Sequence, residues 1–190
     1  HAIVIIYIVP IAMLAGVGGV AAAGVLSTLA LGSGLTRFLT PVLAESLGAR
    51  GTMAVMYVLQ GLPVMMLFWT SDTWSFYLFA VIFGIGYGGE GSAFPIINRR
   101  YYGEGSLGRS FGWQLSGAML GMATGGWIGG VLFGFFGDYQ LTIAMSVATS
   151  LLGAVVIMSM DKTGQVLILD WEDGLPEEAK SATAPASADD

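Results

Sequence analysis

Apolar residues run along this chain in unbroken blocks about as long as a bilayer is thick. They do not alternate with polar ones at the period of a half-buried helix or strand. Five blocks stand out: Ala21 to Leu43, Thr52 to Trp69, Trp74 to Ile97, Phe111 to Phe136 and Leu141 to Met160. A helix needs roughly 20 apolar residues to cross, because every backbone amide must be paired within the segment where no water reaches. A sixth block, Ala2 to Leu14, is too short to cross, and the sequence opens inside it without an initiator Met. It is read as the end of a helix that starts upstream. The expectation is all-α: a polytopic membrane helix bundle over residues 1–160, followed by a tail over 161–190. The helices are expected at 1–14 (partial), 20–44, 51–70, 74–98, 109–136 and 140–160.

The breaks between blocks give the bundle a direction. Arg50 occupies one break, Arg99, Arg100 and Arg109 another, and Lys162 and Lys180 follow the last block, while the alternate breaks hold only Asp72 and Asp138. Lys and Arg accumulate on the cytoplasmic side of membrane proteins. Glu45 to Gly51 and Asn98 to Arg109 are therefore expected inside, and Ala15 to Gly19, Thr70 to Thr73 and Gly137 to Gln140 outside. Trp69, Trp74, Tyr101, Tyr102 and Tyr139 fall at the expected water boundaries, where amphipathic rings concentrate.

Composition narrows the function classes. Hydrophobic residues make up 55% of the chain and charged ones 11%, with a mean hydropathy of +0.74. Soluble domains carry about 25% charged residues, so a soluble core does not account for this chain. The net charge of -6 is concentrated after Met160, in Asp161, Asp170, Glu172, Asp173, Glu177, Glu178, Asp189 and Asp190. That composition reads as a disordered, solvated cytoplasmic end. No basic stripe supports nucleic-acid binding, and a secretory signal would need a basic start that His1 to Leu14 lacks. With no Cys, one His and a single deep carboxylate, the sequence offers no convergent acid, base, nucleophile or metal set, so neither an enzyme nor a cofactor is expected.

Glycine, at 29 residues, is about twice its usual share of about 7%. In the helix after Arg109 it recurs as Gly117, Gly121, Gly125 and Gly129, with a second row at Gly126, Gly130 and Gly134. Gly84, Gly86, Gly88, Gly89 and Gly91 cluster in the helix after Trp74. Spacing of four puts a row on one face, where another helix can approach closely. Such a face serves as a static packing seam or as a smooth surface on which helices slide or bend.

Two charges fall inside the apolar blocks, Arg37 and Glu90. A charge at a helix centre costs about 2.5–3.5 kcal/mol on insertion scales, which makes each a functional candidate. Each lies eight residues before its cytoplasmic helix end, about 12 Å deep at 1.5 Å per residue, so the two can meet. Arg37 either snorkels to the headgroups or faces a water-filled cavity and grips a carboxylate with its planar fork. Glu90 is either a structural partner or a proton or substrate switch. Among the neutral polar residues of the spans, which include Gln60, Ser27, Thr28, Thr36, Ser116 and Thr124, Gln114 is the strongest ligand candidate. It sits on the glycine-rich helix one turn inside the boundary. Pro10, Pro41, Pro63 and Pro95 interrupt or end helices, as is common where broken helices make sites and hinges.

These residues resemble the major facilitator superfamily, in particular the C-terminal half of its monocarboxylate and oxalate/formate branch. The stretch Pro41-Val42-Leu43-Ala44-Glu45-Ser46-Leu47-Gly48-Ala49-Arg50 is similar to that superfamily's loop between the second and third helices of each half, with Glu45, Gly48 and Arg50 matching in kind and place. Arg37 looks like the branch's substrate-binding arginine, with Ser33 where an aspartate is expected one turn earlier. Tyr7-Ile8-Val9-Pro10 resembles its seventh helix, and Arg100-Tyr101-Tyr102-Gly103 with Leu107 to Gly112 its loop into the eleventh. No Lys lies between Phe111 and Met160, so the lysine of oxalate exchangers has no counterpart.

The resemblance implies one six-helix half of a twelve-helix fold, whose missing N-terminal half completes the site. The expected function is secondary active transport of a small organic anion across a plasma membrane by alternating access, with a proton as a candidate coupling ion. It implies substrate contacts from Arg37, Glu90, Gln114 and Ser33, a conformational loop at Glu45, Gly48 and Arg50, and helix packing along Gly117, Gly121, Gly125 and Gly129. The first, second, fourth and fifth helices are expected to line the cavity and the third and sixth to face lipid. A non-transporting scaffold or sensor built on the same half-bundle is the alternative.

Overall fold

The computed structural model describes residues 2–102 and 107–160. Among them there is no strand. The helices are α1 (Ala2–Leu14), α2 (Gly19–Val64, continued by a 3-10 turn at Met65–Phe68), α3 (Thr73–Tyr102), α4 (Leu107–Phe136) and α5 (Gln140–Ser159). Five stretches are long and apolar enough to cross a membrane: Gly19–Ala44 and Ser46–Phe68, which are the two limbs of α2, and Thr73–Arg99, Gly108–Phe136 and Gln140–Ser159. The all-helical membrane bundle expected from the apolar blocks is the observed architecture. The acidic tail and the connection at 103–106 lie outside the described residues, as does the side chain of Glu45.

The helices end where glycine permits it. At the end of α1 the Gly16 amide bonds the Met13 carbonyl and the Val17 amide reaches back to Ala12, a Schellman closure that needs the left-handed backbone of Gly16 (φ 89°). Gly137 (φ 74°) closes α4 through its amide on the Phe133 carbonyl at 2.8 Å. Asp72 opens α3 by accepting from the Ser75 amide at 3.0 Å.

Two expected connections are corrected. Glu45 to Gly51 is not a loop: α2 stays helical on both sides and turns at Gly48 alone (φ 72°, ψ 154°). A side chain would be strained there, so glycine concentrates the whole bend in one residue. Asn98 to Arg109 is likewise shorter than expected, since α3 continues to Tyr102 and α4 begins at Leu107.

α3 is the organising helix, held between the two limbs of α2 by glycines on opposite faces. A Cβ on Gly84 would lie 2.6 Å from the Leu29 carbonyl oxygen, and one on Gly88 2.1 Å from that of Ser33. On the other face, a Cβ on Gly86 would meet the Met56 carbonyl at 2.9 Å, and one on Gly89 the Met56 sulfur at 2.2 Å. The first limb therefore runs parallel to α3 and the second antiparallel. Around this layer Ile8, Ala12, Val25, Phe76, Phe79 and Phe83 form the main buried core, while Ala49, Met53, Ala93 and Ile97 form a smaller one near Gly48. α5 packs on the second limb, with Gly61 against Ser150 and Leu151 and Gly153 against Tyr57.

The second limb packs one side on α3 and α5, while Val55, Val58 and Leu62 on its other side are exposed. Half of its apolar span, 50%, is buried, against 6% for α4. The α4 glycine row also divides. Gly125 and Gly129 pack on Ile3 and Tyr7 of α1, but a Cβ on Gly117 or Gly121 would meet nothing within 4 Å. α4 is held to α1 at one end and to α3 at Gln114 near the other, and the glycines between have no close neighbour. Tyr7 marks the α1 end, its hydroxyl donating to the Gly126 carbonyl at 2.6 Å.

Candidate functional site

Between α4 and the other helices a cavity of about 640 Å³ opens at the Gly48 end of the bundle. Five segments wall it. The first limb of α2 contributes Arg37 and the second Met53 and Tyr57. From α3 come Tyr87, Glu90, Gly91, Phe94, Ile97 and Tyr101; from α4, Gln114 with Phe111, Leu115, Met119 and Met122 among others; from α5, Ile157 and Met160. The contribution of the second limb and α5 departs from the expected four-helix lining. It follows from the close glycine contacts, which draw the second limb against α3.

Arg37 and Glu90 line this one cavity. Their depth is set by the parallel seam of the first limb and α3. Leu29 faces Gly84, Ser33 faces Gly88, and one turn further the Ser92 hydroxyl donates to the Arg37 carbonyl at 3.3 Å. Arg37 is thereby level with Ser92, two residues from Glu90. Arg37 is exposed and forms no ion pair among the described residues.

Glu90 is held from the second limb of α2. The fully buried Gln60 donates its amide to Glu90 Oε2 at 2.8 Å and to the Gly86 carbonyl at 3.2 Å, and the Tyr57 hydroxyl also hydrogen-bonds Glu90. The missing Cβ of Gly86 is what lets Gln60 approach, since one there would stand 2.9 Å from Gln60 Cγ. Sequence reading placed Gln60 among weaker polar candidates and did not single out Tyr57. The signal it lacked was the antiparallel register that brings position 60 opposite positions 86 and 90.

Gln114 is held similarly. The Asn98 amide, wholly buried, donates to Gln114 Oε1 at 2.5 Å. Gln114 also lines the cavity. Asn98 was expected only as the start of a connection, so its role was missed. Ser33 is not part of the lining: it is buried beneath Gly88, whose bare backbone packs directly on it.

Of the three loop residues, Gly48 forms the bend in α2 and Arg50 reaches across to α5, its guanidinium donating to the Met160 carbonyl. Glu45 lies on the helical backbone just before the bend. Arg50 thus anchors the end of α5 that supplies Ile157 and Met160 to the cavity.

An all-helical bundle with five stretches long and apolar enough to cross a membrane defines a multi-pass membrane protein. The sequence matches the family model of the Major Facilitator Superfamily over residues 2–185. The chain belongs to that superfamily, a family of membrane transporters rather than of enzymes. Comparison with curated proteins found no match.

Proposed function

We propose that this chain forms one half of a secondary active transporter that carries a small, monocarboxylate-like organic anion by alternating access. The observation that carries the reading is the convergence of Arg37, Glu90 and Gln114 on one cavity. Arg37 supplies a two-pronged cationic grip for a carboxylate, and Gln114, oriented by Asn98, adds neutral donors. Glu90, braced by Gln60 and Tyr57, is the candidate coupling group for a proton. Gly48 is the hinge and Arg50 the clasp through which the bend of α2 and the end of α5 move together.

Arg50, Arg99 and Arg109 cluster at the cavity end, whereas Asp72 and Asp138 mark the other. Positive residues favour the cytoplasm, so the cavity opens inward and the C-terminus is cytoplasmic in a plasma membrane. The sparsely packed α4 is the surface on which a second six-helix half would complete the pathway.

The test is Arg37→Ala in the complete transporter, both halves present, in an uptake assay with lactate, formate and oxalate. Loss of a charged, bidentate contact costs about 1.5–3 kcal/mol, so uptake at low substrate should fall at least tenfold while membrane insertion is kept. Normal uptake by a well-inserted mutant would sink the substrate role and favour a scaffold or sensor.

A further inference from the structure

We infer that the anion bound here carries one negative charge and a large apolar body, as in an aryl- or long-alkyl monocarboxylate, rather than being of formate or oxalate size. This rests on the anion-site reading above and adds the substrate class. The first argument is charge. Among the described residues that line the cavity Arg37 is the one cationic side chain, and Glu90 lines it too. Among these residues a second carboxylate on the ligand would find no second cation, and it would have an acid nearby to oppose it.

The second argument is the wall. Pockets of about 300–1,000 Å³ suit organic molecules of drug size, with mostly apolar linings and a few placed polar groups. At about 640 Å³ this one is far larger than a two-carbon acid needs. Aromatic rings from α3 and α4, Phe94 and Phe111 among them, form one part of the lining. Methionines form another: Met53 on the second limb of α2, Met119 and Met122 on α4, and Met160 just past α5. Unbranched, polarizable thioethers fit themselves to varied apolar shapes and to ring edges. Gln60 and Tyr57 already engage Glu90, and Asn98 already engages the Gln114 oxygen, so few polar groups remain for a small hydrophilic solute. A formate at Arg37 would leave nearly all of this surface against water. A phenyl or alkyl body would cover it.

The complete transporter, with both halves present, is titrated in lipid nanodiscs with tritiated 3-phenylpropionate, with empty nanodiscs to subtract partitioning into lipid. Formate, acetate, butyrate, hexanoate, oxalate and the neutral 3-phenylpropionamide serve as competitors. Affinity should tighten about fourfold per added methylene from acetate to hexanoate, with oxalate and formate the weakest. Phe94→Ala and Met119→Ala should each weaken 3-phenylpropionate about tenfold more than acetate. Equal affinity along the series, with all of it lost in Arg37→Ala, overturns the apolar body and leaves the anion site standing. Competition by the amide equal to that of the acid, an unchanged series in Arg37→Ala, or no binding by any member overturns the anion site and this inference with it.

Discussion

Replacing Gly88 by alanine tests the packing that brings Arg37 and Glu90 to one depth. The added Cβ would stand 2.1 Å from the Ser33 carbonyl oxygen and 2.7 Å from Ser33 Cα, where ordinary contact is 3.4–4 Å. Both sides of that contact are backbone, so no rotamer change relieves it, and the first limb of α2 and α3 must part by more than 1 Å. Overpacking of this kind costs about 1–3 kcal/mol, and a backbone-on-backbone clash belongs at the upper end. Gly91, on the same helix, is the control: a Cβ there meets nothing within 4 Å, so Gly91→Ala should be neutral or stabilising by up to about 1 kcal/mol. Reversible unfolding in mixed detergent–SDS micelles, followed by far-UV circular dichroism, gives both values. Equal stability of the two variants would refute the close α2–α3 seam. A destabilised Gly88→Ala with unaltered anion affinity would instead show that the site does not depend on the seam.

Three further outcomes follow from particular contacts. Arg50→Ala removes the guanidinium from the Met160 carbonyl and should destabilise the protein by about 1.5–3 kcal/mol, with a spin label at Ile157 becoming more mobile; an unchanged spectrum would refute the clasp. Asn98→Ala frees Gln114 Oε1, so thermal stability should drop by about 1 kcal/mol and anion affinity should weaken, by less than in Arg37→Ala; an affinity loss equal to that of Arg37→Ala would contradict the positioning role. Asp72 lies at the turn before α3, where hydrogen bonds from the Ser75 amide and then its hydroxyl hold the carboxyl below its ordinary 3.8. Since the folded value is the depressed one, the stabilisation is present above that ordinary value and is lost as the pH falls through the lowered one. Protection of the Ser75 and Phe76 amides from hydrogen exchange, corrected for intrinsic rates, should therefore fall in acid in the native protein and be low at every pH in Asp72→Ala.

Much of the bundle was legible because the bilayer leaves one solution to the backbone. An uninterrupted apolar block must be a helix there, whatever its other residues prefer. What the blocks did not reveal was how the helices meet. Glu45 to Gly51 reads as a connection because it is polar, yet hydrogen bonding continues on both sides of Gly48 and the break shrinks to one residue. The row Gly117, Gly121, Gly125 and Gly129 is uniform in sequence, but only Gly125 and Gly129 find a partner, in Ile3 and Tyr7. A small-residue stripe states that close approach is permitted, and the partner's own shape decides where it occurs.

The same distinction explains which parts of the site were foreseen. Arg37 and Glu90 announce themselves, because a charge inside an apolar block is costly unless something compensates it. Gln60 and Asn98 do not, since a neutral amide in a span is ordinary and its value depends on what stands opposite. Opposite Gln60 stand Gly86 and Glu90, four residues apart on one face of α3, so a single amide reaches the backbone and the carboxylate together. Opposite Asn98 stands Gln114, sixteen residues on across the break between α3 and α4. Both amides lie on helices next to those that bear the side chains they hold, and both are wholly buried, whereas Arg37 is exposed. The carboxylate and the amide are thus each held by a buried partner on a neighbouring helix, while the Arg37 side chain, which shares their cavity, is exposed.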